Sequence, residues 1–454
     1  MADLTGLSIS GRVAVPDDSD WDQVRLGMNL AADLRPEAVA LVESADDVAK
    51  VISFATENDL RVTGQTTGHG AGALADLSGA ILIKTERMKG IEVEAGTGRA
   101  RVEAGVQAAE LGGAAGEHGM SFLPGSSPTV GVTGYVLGGG LGWLARRHGL
   151  ACNHVHAIEV VTADGEILQI DAEASQDLFW ALRGGGGGYA IVTALHLELL
   201  ELAEAYAGLL IFPAEVGAEG IRAYRDWAAG APDELTSACR FLTPPPLPDV
   251  PEPIRGKPLF VIGAAFIGSE AEGEALIAPL REIGEPIMDT FGQIPTSGLS
   301  RVAMDPEQAV PAIGHHALVA ELSDDAIDAF AGAAGPDSGS PLLLADLRQA
   351  GGALARSPEG AGALDKLDCD FVMYGIGVPM EPDSGAAIAE GLDRLAYVMK
   401  PWAAEGGFFN FADRPCDLDA ILPADTCRRL VDVKRKWDPD DRIVANHAVS
   451  LATA

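Results

Sequence analysis

Apolar and polar positions in the first 200 residues change over in short steps. Pro36–Val42 (PEAVALV) is an apolar run of strand length, and Ser44 followed by Asp46 and Asp47 marks the start of a helix running to about Asn58. Two short strands are expected around Arg61–Gly64 and Ala80–Lys84. The alternation in IEVEAGTGRARVEAG (91–105), broken by Gly-Thr-Gly, predicts a hairpin. A second hairpin is read in AIEVVTADGEILQI (157–170), turning at Ala163-Asp164-Gly165, and a short helix in QAAELGGAAGEHG (107–119). From about 205 to 400 the segments lengthen. Helices are expected at 217–229, 270–283 and 382–399, with a further one capped by Ser323 ahead of Asp324 and Asp325. Strands are expected at 236–242, 258–267, 315–321 and 370–378, and the Pro-rich run 243–253 is a loop between two of them. The middle region therefore reads as an antiparallel sheet with helices on one face. After about 404 the Gly/Asn/aromatic texture of the first part returns.

Length and charge narrow the function classes. The chain has 454 residues, enough for two domains. Its formal charge of −34 and lack of a Lys/Arg cluster argue against a nucleic-acid partner or an anionic membrane surface. No apolar stretch reaches the ~18 residues of a membrane span, and MADLTGLSIS has no basic lead or apolar core, so a cytoplasmic location is expected. Five cysteines without C-x-x-C predict buried thiols, and zinc-type ligand spacing is absent, so no metal is expected.

Glycine carries the strongest signal. The 55 glycines bunch in TGQTTGHGAGA (63–73), PGSSPTVGVTGYVLGGGLGW (124–143), RGGGGGYAIVT (183–193) and GGFFNF (406–411). Residues 124–143 hold no charged side chain, which surface turns of so acidic a protein would carry. Such clusters mark close backbone approach to a ligand. A P-loop is missing, and GHGAGA lacks the helix that a dinucleotide fingerprint opens. What remains is a pyrophosphate cradled by main-chain N–H groups, with hydroxyls from Thr66, Thr67, Ser126, Ser127 and Thr129.

The order of T-G-H-G, PGxxPTVGVTGxxLGGGLGWLxRxxGL, VVTADGEIL, DLFWALRGGGGG…IVT, FxNFxD (408–413) and KRKWDPDDRIVANHAVS (434–450) resembles the berberine-bridge-enzyme-like FAD-linked oxidases. These belong to the vanillyl-alcohol-oxidase superfamily, and the likeness in character is to its bacterial hydroxynicotine-oxidase-like members. The resemblance covers most of the chain and is weakest at about 205–340. It implies an α+β fold with a PCMH-type FAD-binding domain at 1–204 and 405–454. A substrate-binding domain of antiparallel sheet plus helices would be inserted at 205–404.

The same resemblance implies roles residue by residue. His69 matches the histidine that attaches the flavin 8α-methyl carbon. Ser127 stands where many members have a second attaching cysteine, so a single covalent attachment is expected. Val130 matches the position that gates dioxygen, where a small residue goes with oxidases, and Tyr135 stands where plant members often place a histidine. The cofactor is FAD, and its expected contacts also include Gly64, Gln65, Thr66, Thr67, Gly68, Gly70, Ser126, Thr129, Gly131, Gly134, Gly138, Gly140, Gly142, Ile191, Val192, Asn410 and Asn446. The substrate side departs from the family: Phe408 replaces a frequent tyrosine, and Arg356 falls where a glutamate can stand. The remaining catalytic candidates are His315, His316, Tyr374, Arg356 and Asn410, and strand alternation lets only one of the two histidines face the flavin. The implied activity is hydride transfer from a C–H of an amine, alcohol or phenolic/polyketide-like metabolite to flavin N5, with O2 as partner and H2O2 as product. A dehydrogenase or oxygenase of the same fold, or a non-catalytic flavin-binding protein, are the alternatives.

Overall fold

The computed structural model describes residues 6–451 except 75, 249, 382, 448 and 450. Three sheets organise these residues. In the first, strands Ala38–Leu41 and Arg61–Gln65 flank Ala80–Lys84, all parallel, with Arg12–Ala14 antiparallel on the outer edge. Parallel strands need a crossover, and the helix Ala45–Glu57 carries the chain from Ala38–Leu41 to Arg61–Gln65. Ser44 caps this helix, its Oγ accepting from the Asp47 amide at 3.2 Å. Asp47 is itself fully buried, and its carboxylate accepts from the amides of Ser10, Gly11 and Glu43.

The second sheet holds both expected hairpins. Ile91–Glu94 and Arg99–Glu103 form one, with Gly98 at φ +66° in its turn; Val155–Val161 and Ile167–Asp171 form the other. Strand Ile191–Glu198 lies between the two hairpins and pairs antiparallel with both.

The third sheet has eight antiparallel strands drawn from residues 204–377. Helices Gly217–Ala229, Glu270–Arg281, Asp324–Ala334 and Ser384–Met399 contribute Tyr224, Ile277, Phe330 and Leu392 to one core against it. Each such side chain is worth several kcal/mol; truncating Phe330 to alanine would cost about 3–5 kcal/mol. Covering one face with helices leaves the other free to line a site. The first residue of the expected helix at 382–399 lies outside the described residues, as do 448 and 450 of the closing motif.

Three of the elements that escape the sequence pattern are instructive. Strand Glu204–Pro213 is buried from Ala205 to Phe212 and paired along both edges, so it shows no alternation. Strand Leu344–Gln349 carries Asp346 and Arg348 in the middle of the sheet. Helix Ala424–Trp437 is rich in Arg and Lys, yet it buries Lys434. The Lys434 ammonium donates to Gly188 O, Ile443 O and the Asp438 carboxylate at 2.9, 2.8 and 2.6 Å. This pins the following segment beside the first sheet, where Val62 donates to Arg442 O and Val444 donates back to Val62 O, each at 2.8 Å. Charge burial so expensive persists because every donor is satisfied.

Candidate functional site

The uncovered face of the eight-stranded sheet and the Gly-rich loops together line a cavity of about 440 Å³. One end is made mostly of main chain. Gly68 sits at φ +78° and packs so close that a Cβ there would come 2.9 Å from the Gly27 Cα. This left-handed step turns the chain, and among the described residues the amides of Gly68, His69 and Gly70 donate to no protein acceptor. Successive free amides on such a bend form an anion nest without a basic side chain. Gly131 is held against the same loop, its amide donating to Thr67 Oγ1 at 3.2 Å, and a Cβ on it would lie 2.5 Å from Thr66 Cγ2. The opposite wall comes from Gly134, which faces open space, and from Ile191 and Val192. Gln65 is 7% exposed, and both polar atoms of its amide lack a partner among the described residues. A buried amide without partners is costly, so this end is shaped for a polar ligand.

His69 lies in that wall. The Thr67 hydroxyl accepts from Gly131 and shares a hydrogen bond with His69 Nδ1 at 2.8 Å, and Thr129 Oγ1 lies 3.4 Å from Nε2. Burial pushes the imidazole down to about 4, so it is neutral near pH 7 and keeps a nucleophilic ring nitrogen.

The other end is made of charged side chains. Arg240, Asp346, Tyr374 and His316 stand directly opposite one another on four adjacent strands, and so share one face of the sheet. Arg348, two residues beyond Asp346, donates to its carboxylate at 2.8 Å and lies 4.7 Å over the ring of Phe411. Tyr374 stacks on Phe411 at 4.7 Å and donates its hydroxyl to the Asp413 carboxylate. Burial pushes Asp413 up to about 6 against the opposing pull of that hydrogen bond. Burial also raises Asp305, opposed by nearby Arg240 and Arg348 and by the Ser126 hydroxyl, which donates to it at 3.1 Å. A Cβ on Gly314 would fall on Asp413 and on the Tyr374 hydroxyl, so this glycine makes room for the pair.

Of the expected cofactor residues, Gly64, Gln65, Thr66, Thr67, Gly68, His69, Gly70, Ser126, Ser127, Val130, Gly131, Gly134, Tyr135, Gly138, Ile191, Val192, Asn410 and Asn446 line the cavity. Asn446 Nδ2 donates to Gly70 O at 2.8 Å and closes the nest loop. Thr129 stands behind His69 instead of in the wall. Gly140 and Gly142 are corrections: both lie outside the lining. The Gly140 amide donates to Asn410 Oδ1 at 2.8 Å, and Gly142 has no room for a side chain beside Pro124 O.

The catalytic candidates divide more sharply. Tyr374 and Asn410 line the cavity, but both ends of the Asn410 amide are engaged, its Nδ2 donating to Tyr135 O at 3.1 Å. Neither histidine is among the lining residues, and, as strand alternation requires, only one of them is on the cavity side. His316 is on the cavity side of the sheet, yet its Nε2 accepts from the Phe408 amide at 2.8 Å. His315 points the other way, near Arg414 and Asp393. Arg356 is exposed and pairs with Asp233 at 3.0 Å, away from the cavity. Asp413, Arg348, Asp305 and Arg240 were not expected. The signal available was charge in mid-strand, at Arg240 and at Asp346/Arg348, and the last residue of FxNFxD.

Residues 36–171 match the family model described as FAD binding domain. The chain is 26% identical over 465 residues to (R)-6-hydroxynicotine oxidase of Paenarthrobacter nicotinovorans, covering 98% of each. It is 31% identical over 229 residues to glucooligosaccharide oxidase of Sarocladium strictum, covering 48% of this chain and 45% of that one. Among solved structures it is similar to a variant of Physcomitrella patens BBE-like 1, with a TM-score of 0.86, 20% identity and 98% of each chain covered. No helix of the described residues is long and apolar enough to cross a membrane. All five cysteines are free thiols.

Proposed function

We propose that this chain, which belongs to the berberine-bridge-enzyme-like FAD-linked oxidoreductases, is an oxidase of small molecules that releases H2O2. The observation that carries the reading is a cavity with two unlike ends: an uncharged main-chain nest with a neutral histidine in its wall, and a hydrogen-bonded tyrosine–carboxylate pair opposite. The unpartnered Gln65 amide and the free amides from Gly68 to Gly70 fit FAD, whose pyrophosphate needs donors and whose ring needs an apolar wall. FAD bound here would supply a two-electron acceptor for hydride at N5 and pass the electrons on to dioxygen.

This chain's residues do the rest. His69 would hold the cofactor covalently through a ring nitrogen, and Ser127, with no thiol, would leave that bond single. The Thr67 hydroxyl fixes the ring that presents the nitrogen. Val130, small and in the cavity wall, would leave room for dioxygen. Tyr374 and Asp413 take the proton that a substrate O–H or N–H loses as its neighbouring C–H is broken, a contribution worth roughly 10²–10⁴-fold. Arg348, braced by Asp346 and Phe411, shapes the substrate end from the neighbouring strand. We place the substrate-binding part at 205–404 and the cofactor-binding part at 1–204 and 405–454, because the eight-stranded sheet, bar its first residue Glu204, falls within the former.

The test is the visible spectrum and intact mass of the purified protein before and after acid precipitation, with H2O2 release measured on candidate substrates. A yellow pellet carrying one added FAD mass is expected. Flavin in the supernatant would refute the covalent bond, and reduction by substrate without H2O2 would make the protein a dehydrogenase.

A further inference from the structure

We propose that the substrate end selects a small organic cation, an amine bound as ammonium, and that Asp413 is its counter-charge. This rests on the oxidase reading of the cavity and narrows its substrate class.

The four carboxylates of this part of the structure differ in their company. Asp346 is paired with Arg348 at 2.8 Å. Asp305 takes the Ser126 hydroxyl and has Arg240 and Arg348 nearby. Asp393, outside the cavity, pairs with Arg414. Asp413 and Asp305 both line the cavity with one neutral donor each, and among the described residues neither has a Lys, Arg or His nitrogen within 4.0 Å. But Arg240 and Arg348 act on Asp305, whereas Asp413 has only the Tyr374 hydroxyl. The cations around it are occupied elsewhere: Arg348 by Asp346, and Arg414 by Asp393. Nearby His447 is pushed below its ordinary value by burial and so stays neutral. His315, on the far face of the strand carrying Gly314, is likewise lowered by burial.

A second observation makes the vacancy a built one. Gly314 leaves out the side chain that would otherwise fill the space against Asp413 Oδ2 and the Tyr374 hydroxyl. The walls beside it are the Phe411 ring and Ile376, apolar and aromatic surfaces that suit the carbon body of an amine. A buried carboxylate without a cation is costly, and a ligand that brings the cation removes that cost. Its elevated protonation range fits a group awaiting such a partner. A neutral sugar or alcohol would leave the charge uncompensated.

The probes are benzyltrimethylammonium, which has no N–H to lose, and its uncharged isostere neopentylbenzene, titrated by calorimetry into the holoenzyme. Calorimetry reads binding without turnover, so an enzyme that releases no H2O2 can still pass or fail this test. The cation is expected to bind at least ten-fold tighter than the isostere at pH 8, with the preference fading below about pH 6 as Asp413 protonates. Asp413→Asn should abolish the preference while the uncharged probe binds as before, which shows that the pocket still folds. Tyr374→Phe should keep most of it. Equal affinities, no binding of either probe, or a preference that survives Asp413→Asn would overturn the proposal.

Discussion

The two ends of the cavity solve opposite problems. At the nest end the polar work is done mainly by backbone amides, and its glycines create it by leaving side chains out. At the sheet end, side chains from four strands and a loop do it: Arg348 pairs with Asp346, Arg240 acts on Asp305, and Asp413 has only the Tyr374 hydroxyl. Main chain is the same in every sequence, so the first end is written as glycine spacing. The second end is written in residues far apart, which only the pairing of strands brings together. A nest suits a constant ligand, and a side-chain surface suits a ligand that varies between relatives.

Substitutions that break this contrast should differ in kind as well as size. The largest effect is expected from Asp413→Asn, which should cut turnover by roughly 10²–10⁴-fold while flavin content stays whole, measured by steady-state oxygen uptake. Loss of flavin in that variant would mean the two ends are not separable. At the other end, His69→Ala should release all flavin from the acid-precipitated chain, whereas FAD still binds non-covalently in the native protein. Flavin left in the pellet would assign the bond elsewhere. Val130→Leu narrows the wall beside the nest and should slow reoxidation by dioxygen about ten-fold without slowing reduction, read by stopped flow.

A smaller effect concerns stability. Asp413 is held above its ordinary value, so its contribution to the folded state is full below pH 3.8 and is lost as pH rises through about 6. Asp413→Asn should therefore melt with the native protein near pH 4 and a few degrees above it at pH 8. A variant that melts lower at pH 8 would show that the carboxylate is needed for packing. The smallest change belongs to Arg356→Ala, which should leave turnover within about two-fold, since that guanidinium is exposed and pairs only with Asp233.

Legibility followed the same divide. Ser44 and its two aspartates announced the first crossover helix, and the Gly-Thr-Gly turn announced its hairpin, because caps and turns are local chemistry. The nest was legible for the same reason, being one continuous run from Gly64 to Gly70. Gly140 and Gly142 looked alike in sequence but serve chain packing, a distinction that only the neighbours Asn410 and Pro124 reveal. His315 and His316 drew attention as histidines, while the strand register hands the cavity to Tyr374 and to a space held open by Gly314. Arg240, Asp346 and Tyr374 are 106 and 28 residues apart along the chain and direct neighbours across strands, so no spacing rule could have joined them.

The link from Asn446 to Gly70 has a consequence for the order of manufacture. It joins residues 376 apart, and the Lys434 clamp that positions it is also made late. At about 5–20 residues per second, a ribosome leaves the nest loop waiting roughly 20–75 s for the residue that closes it. During that interval the early sheet exists without its final strap. The strap that closes the nest loop is thus among the last parts of the chain to be made.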